Sequence, residues 1–321
     1  MLRAFRGFAA INEQETRFWD EYHGLQMSLN RRFTNGLAFG TNYNLSLSFK
    51  GNTGLQLRLQ HAADGTISIR SDQAQYEQLN ENLAMQRHVI KSFAVWNLPD
   101  APSRFGMAGK HLLSDWQLSA VFTGGSAFQP GAIQANGAAQ GNPGAASNAV
   151  GPSNGRYDPG YTYQNNGGSV NLTGSPDYAA RIVYVGDPGS GCSSNQYQQF
   201  NTAAVAGPTY GSVGLESGRY LLGGCPDHTV DLAVAKSVRV GGQRSLQFRL
   251  DIFNVFNTVI YNDRNTTVIY RSPTDQTIVN SQYLPDGTLD PNRLTPRTAG
   301  FGAATNAQPL RNLQLQIRFG F

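Results

Sequence analysis

Hydrophobic and polar positions alternate along much of this chain, most cleanly at its end. From Arg311 to Phe321, the residues Leu313, Leu315, Ile317, Phe319 and Phe321 share one parity. Asn312, Gln314, Gln316, Arg318 and Gly320 share the other. Successive side chains of a strand point to opposite faces, so the pattern predicts a strand with one wholly apolar and one polar face. Its length matches the roughly 9–11 residues that a tilted strand needs to cross a bilayer. In water, such a bare apolar strand invites edge-to-edge association. In the wall of a membrane barrel it has a place.

The same alternation recurs upstream. Leu25, Met27 and Leu29 lead into Thr34-Asn35-Gly36, and Asn-Gly between alternating segments is the strongest short hairpin signal. Leu37, Phe39, Tyr43, Leu45, Leu47 and Phe49 form the apolar face of the returning strand, and Leu55, Leu57 and Leu59 continue the alternation. Asp64-Gly65 predicts another hairpin turn with Ile67 and Ile69 returning, and the polar stretch 71–86 has room for a short helical turn. His88 to Leu98 reads as the next crossing, with Phe93 and Val95 on one face and Ile90 and Trp96 on the other, which leaves its lipid side open. Pro99 to Ser114 reads as a turn region. Trp116, Leu118, Ala120 and Phe122 then alternate, as do Val230, Leu232, Val234, Val238 and Val240, interrupted by Lys236. Gly241-Gly242 turns the chain into Leu246, Phe248, Leu250 and Ile252. With a weak strand around Phe5–Ile11, the expectation is an all-β fold, an antiparallel transmembrane β-barrel wall of about eight strands.

The connections sort by end. Long stretches at about 50–86, 124–227 and 258–309 alternate with shorter ones such as Asn35-Gly36 and Gly241-Gly242. Outer-membrane barrels have short periplasmic turns and long extracellular loops, and this parity puts Phe321 on the periplasmic side. Loops this long in a compact protein are usually functional or disordered.

Composition agrees. Of 321 residues, 14% are charged and 40% apolar, slightly below the usual globular share. Mean hydropathy is −0.37. No run reaches the 18 apolar residues of a transmembrane helix. The net charge of +4 reads as spread out, without the basic stripe of a nucleic-acid binder. Met1 to Phe8 runs into Asn12-Glu13-Gln14-Glu15 without an apolar signal core or a small-residue cleavage site, so a secreted barrel is expected to begin upstream.

Candidate chemistry is sparse. Cys192 and Cys225 lie in Gly-rich polar context; they are candidates for a disulfide pinning an outer loop, with two free thiols as the alternative. Trp19, Tyr22, Trp96, Trp116, Phe253 and Phe256 fall near predicted strand ends, as an interfacial girdle of rings at headgroup level requires, or as ordinary core. Arg249, Asp251 and Arg318 sit within strand patterns. An arginine facing lipid at mid-bilayer would cost about 2–4 kcal/mol, so they are expected on the lumen side, in a hydrated wall where charges pair across strands. Lys236 has lipid-facing parity close to a turn, where its stem could snorkel. The five histidines have no metal-ligand spacing, and no P-loop, G-x-S-x-G elbow or C-x-x-C occurs. A Ser-His-Asp site is recognised by geometry rather than order and stays open as a minor reading. No enzyme activity and no cofactor is expected.

Several segments carry a family resemblance. Tyr22-His23-Gly24-Leu25-Gln26-Met27-Ser28-Leu29-Asn30-Arg31-Arg32-Phe33 with Gly36 resembles a hairpin of the Oar-like TonB-dependent receptors of Gram-negative bacteria. Leu113-Ser114-Asp115-Trp116-Gln117-Leu118-Ser119 resembles their following strand. Leu246-Gln247-Phe248-Arg249-Leu250-Asp251-Ile252-Phe253-Asn254-Val255-Phe256-Asn257 is similar to their penultimate strand, and Arg311 to Phe321 to their terminal one. The resemblance implies residues 1–321 as the C-terminal part of a large plugged barrel in the cell outer membrane, taking up a large substrate. It implies that the barrel-assembly machinery reads Leu313, Leu315, Ile317, Phe319 and Phe321. It also implies that the TonB complex acts only through a plug and N-terminal segments missing from this chain. A self-contained porin-like or adhesive small barrel and a soluble carbohydrate-binding β-sandwich are the competing readings.

Overall fold

The structure, a computed structural model, describes residues 16–52, 55, 57–83, 85–126, 134–137, 181–193, 195–207, 209–218, 224–242, 244–271 and 275–321. Among the described residues, seven strands make the main sheet. They are β1 (Asp20–Thr34), β2 (Leu37–Gly51), β3 (His88–Asn97), β4 (Trp116–Gly125), β5 (Asp227–Gly241), β6 (Arg244–Phe253) and β7 (Asn312–Gly320). Each strand hydrogen-bonds to its sequence neighbours, always antiparallel, so sheet order is chain order. Among the described residues the sheet is open: β1 and β7 are its edges and do not pair with each other. The strand expected around Phe5–Ile11 lies outside the described residues.

The short connections follow from local chemistry. Thr34 pairs with Leu37, leaving Asn35-Gly36 as a two-residue turn with φ of +53° and +81°. Positive φ at both central residues is the hairpin turn whose twist matches the strands it joins. A Cβ on Gly36 would also lie 2.7 Å from the Asn97 carbonyl oxygen, so glycine is required twice over. The β3–β4 connection, expected as a turn region, instead contains a 3-10 turn at Ser103–Phe105 and an α-helix at Gly106–Leu113. Ser114 and Trp116 close it: Ser114 Oγ accepts from Ala101 N, and Trp116 Nε1 donates to the Leu112 carbonyl at 2.8 Å.

Register sorts the side chains into two faces. One row runs Thr41–Ser92–Phe122–Val230, and the same face carries Leu25, Leu45, Trp96, Leu118, Val234, Leu250 and Leu315. The other carries Gln26, Asn44, Lys91, Ser119, Ala235, Arg249 and Gln316. Exposure is inverted relative to a protein dissolved in water. Leu313, Leu315 and Ile317 are 60%, 69% and 62% exposed, whereas Ala233, Ala235 and Asp251 of the polar face are 7%, 4% and 8% exposed. A continuous exposed apolar face of this kind marks an interaction surface rather than a water-facing one.

The compact hydrophobic core lies in the long loops, not in the sheet. Residues 52–87, 126–226 and 254–311 leave the same end of the strands. The second and third loops share a cluster of Ile182, Phe200, Val205, Val268, Tyr270 and Phe301. Thr267–Tyr270 pairs in parallel with Gln134–Gly137, Val183–Tyr184 with Val205–Ala206, and Tyr261–Arg264 with Ala304–Ala307. The first loop holds a hairpin, Leu59–His61 with Ile67–Ile69, turned at Asp64-Gly65, and a helix at Gln73–Asn80. No described helix is long and apolar enough to cross a membrane, which says nothing of strands.

Candidate functional site

The sheet has aromatic residues at both ends. Trp19 just before β1, Tyr22 in β1, and Phe253 and Phe256 at the end of β6 lie at the long-loop end, where Phe253, opposite Asn312, shares the parity of Asp251 and takes the polar face. Trp96 and Trp116 lie at the other end, where Trp96 pairs with Leu118 and Trp116 with Lys236. Tyr22 belongs to the polar face: its hydroxyl meets Ser46 Oγ at 3.0 Å and its ring packs edge-on against Phe49 at 6.0 Å. Lys236 shares the apolar face with Val234 and Val238, yet its side chain is almost fully buried. Its ammonium turns to the short-loop end, donates to the Ser114 carbonyl and lies 5.8 Å from the Trp116 ring centroid. The stem covers apolar surface while the charge finds a carbonyl and a ring.

On the polar face, Arg249 and Asp251 form an ion pair at 2.8 Å along one strand. The expectation of cross-strand charge pairing is not met here: the lateral neighbours of Arg249 are Ala235 and Gln316. Arg318 sits opposite Gln247 on the same face. The register also settles β3, which periodicity left open. Ile90 and Trp96 take the apolar face, and Phe93 takes the polar one, its ring filling the space where Gly40 lacks a side chain.

The Phe253-Asn254-Val255-Phe256-Asn257 segment is a locked turn at the top of β6. Asn254 and Asn257 have φ of +51° and +54°, a left-handed backbone that asparagine tolerates better than most residues. Asn254 N donates to Asp231 Oδ1 at 2.7 Å, tying the turn to β5. Its side-chain amide donates to the Thr258 carbonyl and its Oδ1 accepts from Thr258 N. Asn257 Oδ1 accepts from Arg311 N at 3.1 Å, where the chain returns to β7. Asn254→Ala is expected to cost about 2–5 kcal/mol, combining ~1–2 for the left-handed backbone with ~0.5–1.5 for each of its two side-chain hydrogen bonds. Asn254→Gly should lose only the hydrogen bonds. Urea unfolding of the micelle-folded protein checks both, and equal losses would remove the backbone part.

The long loops are joined by buried polar links. Arg58 and Arg181, each 2% exposed, approach the Tyr76 ring at 5.4 and 4.9 Å from its centroid. Arg181 donates to Asn80 Oδ1 at 2.7 Å and to the Ser217 carbonyl at 2.6 Å; Arg58 donates to the Val213 carbonyl. Gly218 is packed against the Gln73–Asn80 helix so closely that a Cβ would lie 2.2 Å from the Leu79 carbonyl oxygen. Asp72 accepts from Arg70 and pairs with Arg58 at 3.2 Å. The hydrogen bond from Arg70, helped by the Arg58 charge, holds the Asp72 carboxyl below its usual 3.8. A carboxylate with a depressed folded value stabilises fully above the unfolded value and loses that contribution as pH falls through the folded one. Proteolytic nicking of residues 52–87 is therefore expected to rise below pH ~4. The Asp72→Asn variant should be nicked faster at neutral pH and respond less to acid. A disulfide joins Cys192 and Cys225, with Cα atoms 5.4 Å apart.

These links make the three loops one assembly around a mixed core. Phe200 and Phe301 meet edge to face at 5.2 Å, and Gln276 exchanges hydrogen bonds with the Gly207 backbone in both directions. Sequence patterning missed this assembly, because its core residues are spread over two aperiodic loops. The glycines that permit close approach were its available signal. No group of three His, Cys, Asp or Glu side chains suited to a metal ion occurs among the described residues.

Comparison with known proteins gives three findings. A family model described as "outer membrane beta barrel domain" matches residues 1–314. No curated protein matches. Among solved structures, a mutant of the ferric enterobactin receptor from Pseudomonas aeruginosa is similar at 11% identity and a TM-score of 0.33, over 92% of this chain. The chain spans 22% of that receptor's length.

Proposed function

The chain belongs to the outer membrane beta barrel domain family, and from that membership we propose that its seven-stranded sheet is the C-terminal sector of the barrel of an Oar-like TonB-dependent receptor. It is an integral outer-membrane β-protein. One observation carries the finer reading: a sheet with an exposed apolar face has two edges, β1 and β7, that pair with no further strand among the described residues. Unpaired strand edges are not tolerated in hydrocarbon, so both must meet further strands. The Asn254/Asn257 turn and the Leu313-to-Phe321 alternation, which the resemblance rests on, support the assignment to that receptor class.

In this reading the loop assembly faces the outside and contacts a large substrate. The polar face, with Arg249, Asp251 and Arg318, lines the lumen. The aromatic residues at both ends of the sheet anchor it at the two headgroup levels. The barrel-assembly machinery recognises β7. The plug and the segment that contacts the TonB complex come from other parts of the polypeptide.

Heat modifiability tests this. The 321-residue chain is refolded in detergent micelles and run on a gel with and without boiling. The expected result is no faster-migrating unboiled band, because β1 and β7 lack their neighbours. A faster band would mean that these residues close a barrel by themselves, favouring a small porin-like protein.

A further inference from the structure

The positive charge of this chain is not spread out once the strands are placed. The short-loop end comprises residues 30–38, 97–116, 236–248 and 317–321. It holds 8 of the 25 lysines and arginines but only 2 of the 21 acidic residues, Asp100 and Asp115. The remainder holds 17 basic and 19 acidic residues, so the net charge of +4 arises entirely at this end.

The two ends also differ in how their arginines are used. In the long loops, Arg58 and Arg70 pair with Asp72, Arg271 with Asp275 and Arg293 with Asp290. At the short-loop end Arg31, Arg104 and Arg244 are exposed and make no ion pair among the described residues. Arg31 lies opposite Phe39 and Arg244 shares the parity of Leu246, so both belong to the apolar face. Lys236 on that face already turns its ammonium to this end, beside Trp116.

The β3–β4 connection adds apolar anchors. Phe105, Leu112 and Leu113 are all exposed, and the Arg104 guanidinium lies 5.1 Å from the Phe105 ring centroid. A short helix with exposed apolar residues beside basic ones suits the boundary of a bilayer. It continues directly from the apolar face through Trp116. Basic groups near an anionic lipid surface are attracted to it over about a Debye length.

We propose that the short-loop end, centred on residues 98–115 with Arg31, Arg104 and Arg244 around it, is a binding surface for anionic phospholipid headgroups. The inference rests on the proposed function, which embeds the apolar face in a bilayer and assigns this end to the inner leaflet. It names the lipid class that this leaflet presents to the protein.

The three tryptophans report on it, since Trp96 and Trp116 lie at the short-loop end and Trp19 at the other. The full chain is reconstituted into phosphatidylcholine vesicles, at a density that lets copies pair at β1 and β7, with one part in five of chain-brominated lipid, either phosphatidylglycerol or phosphatidylcholine. Trp19→Phe isolates the short-loop pair, and a Trp96→Phe/Trp116→Phe double variant isolates Trp19. Brominated phosphatidylglycerol is expected to quench Trp96 and Trp116 about twofold more than brominated phosphatidylcholine at low salt, with the excess falling as salt screens the charges. Trp19 should show no preference. Arg31→Gln/Arg104→Gln/Arg244→Gln should lose the excess while retaining quenching by phosphatidylcholine. Equal quenching of the short-loop pair by both lipids, or the same preference at Trp19, overturns the proposal. Quenching of no tryptophan by either lipid would instead overturn the embedded reading on which it rests.

Discussion

Leu315→Arg is expected to destabilise the folded wall in lipid by about 2–4 kcal/mol, the cost of an arginine on the lipid face near mid-bilayer. Leu315 lies near the middle of β7, opposite Leu250, within the run Leu313, Leu315, Ile317. Gln314→Arg, one residue away on the other side, is expected to stay within about 0.5 kcal/mol, as substitutions away from critical contacts usually do. Gln314 lies opposite Asp251 on the polar face, where water and that carboxylate can receive a cation. The two variants differ by one position and carry the same new side chain, so strand propensity and length are matched. Urea titration of folding into vesicles measures both. Comparable losses would mean that the two faces see the same surroundings, and the sheet would then not be a membrane wall.

Phe200→Ala is expected to cost the loop assembly about 3–5 kcal/mol, the usual range for truncating a buried phenylalanine. Phe200 is fully buried, stacks edge-on against Phe301, and carries the Arg264 guanidinium 5.4 Å from its ring centroid. The loss should stay local, because this core consists of residues from the second and third loops and shares no member with the sheet. Limited proteolysis should therefore cleave the loops much faster while the strand content measured by circular dichroism is unchanged. Phe301→Ala should behave alike, and the double variant should cost less than the sum, since the two rings touch. Loss of sheet signal in either variant would show that the loops and the wall unfold as one unit.

The wall was legible because its physics is written in alternation. Leu25, Met27 and Leu29 and the run from Leu313 to Phe321 keep strict period, and both segments are sheet strands on the expected parity. Asn35-Gly36 turned where it should, since little else adopts two consecutive positive φ values. Alternation failed at β3, where Phe93 faces inward over Gly40; the reason lies on a neighbouring strand and is invisible in the local pattern. It failed again between Pro99 and Ser114, which reads as a turn region but holds a helix at Gly106–Leu113. Tyr22 was read as an interfacial ring from its place near a strand end, but Ser46 and Phe49 hold it on the polar face. The loop core was least legible. Ile182, Phe200, Val268 and Phe301 are single apolar residues among glycine, asparagine and proline, and only tertiary contact gathers them.

The sequential order of the strands also bears on how the sheet can assemble and change. β1–β2 and β5–β6 are closed by turns of two residues and form from local contacts, the fastest kind of pairing. β4 and β5 pair over ten register positions although residues 126–226 separate them. Loop closure grows only logarithmically with length, at roughly 0.6 kcal/mol per doubling. That span can therefore lengthen, shorten or be exchanged almost without cost to the pairing beneath it. One wall can thus carry long connections of widely differing length and content, while the two-residue Asn35-Gly36 turn at the opposite end has no such latitude.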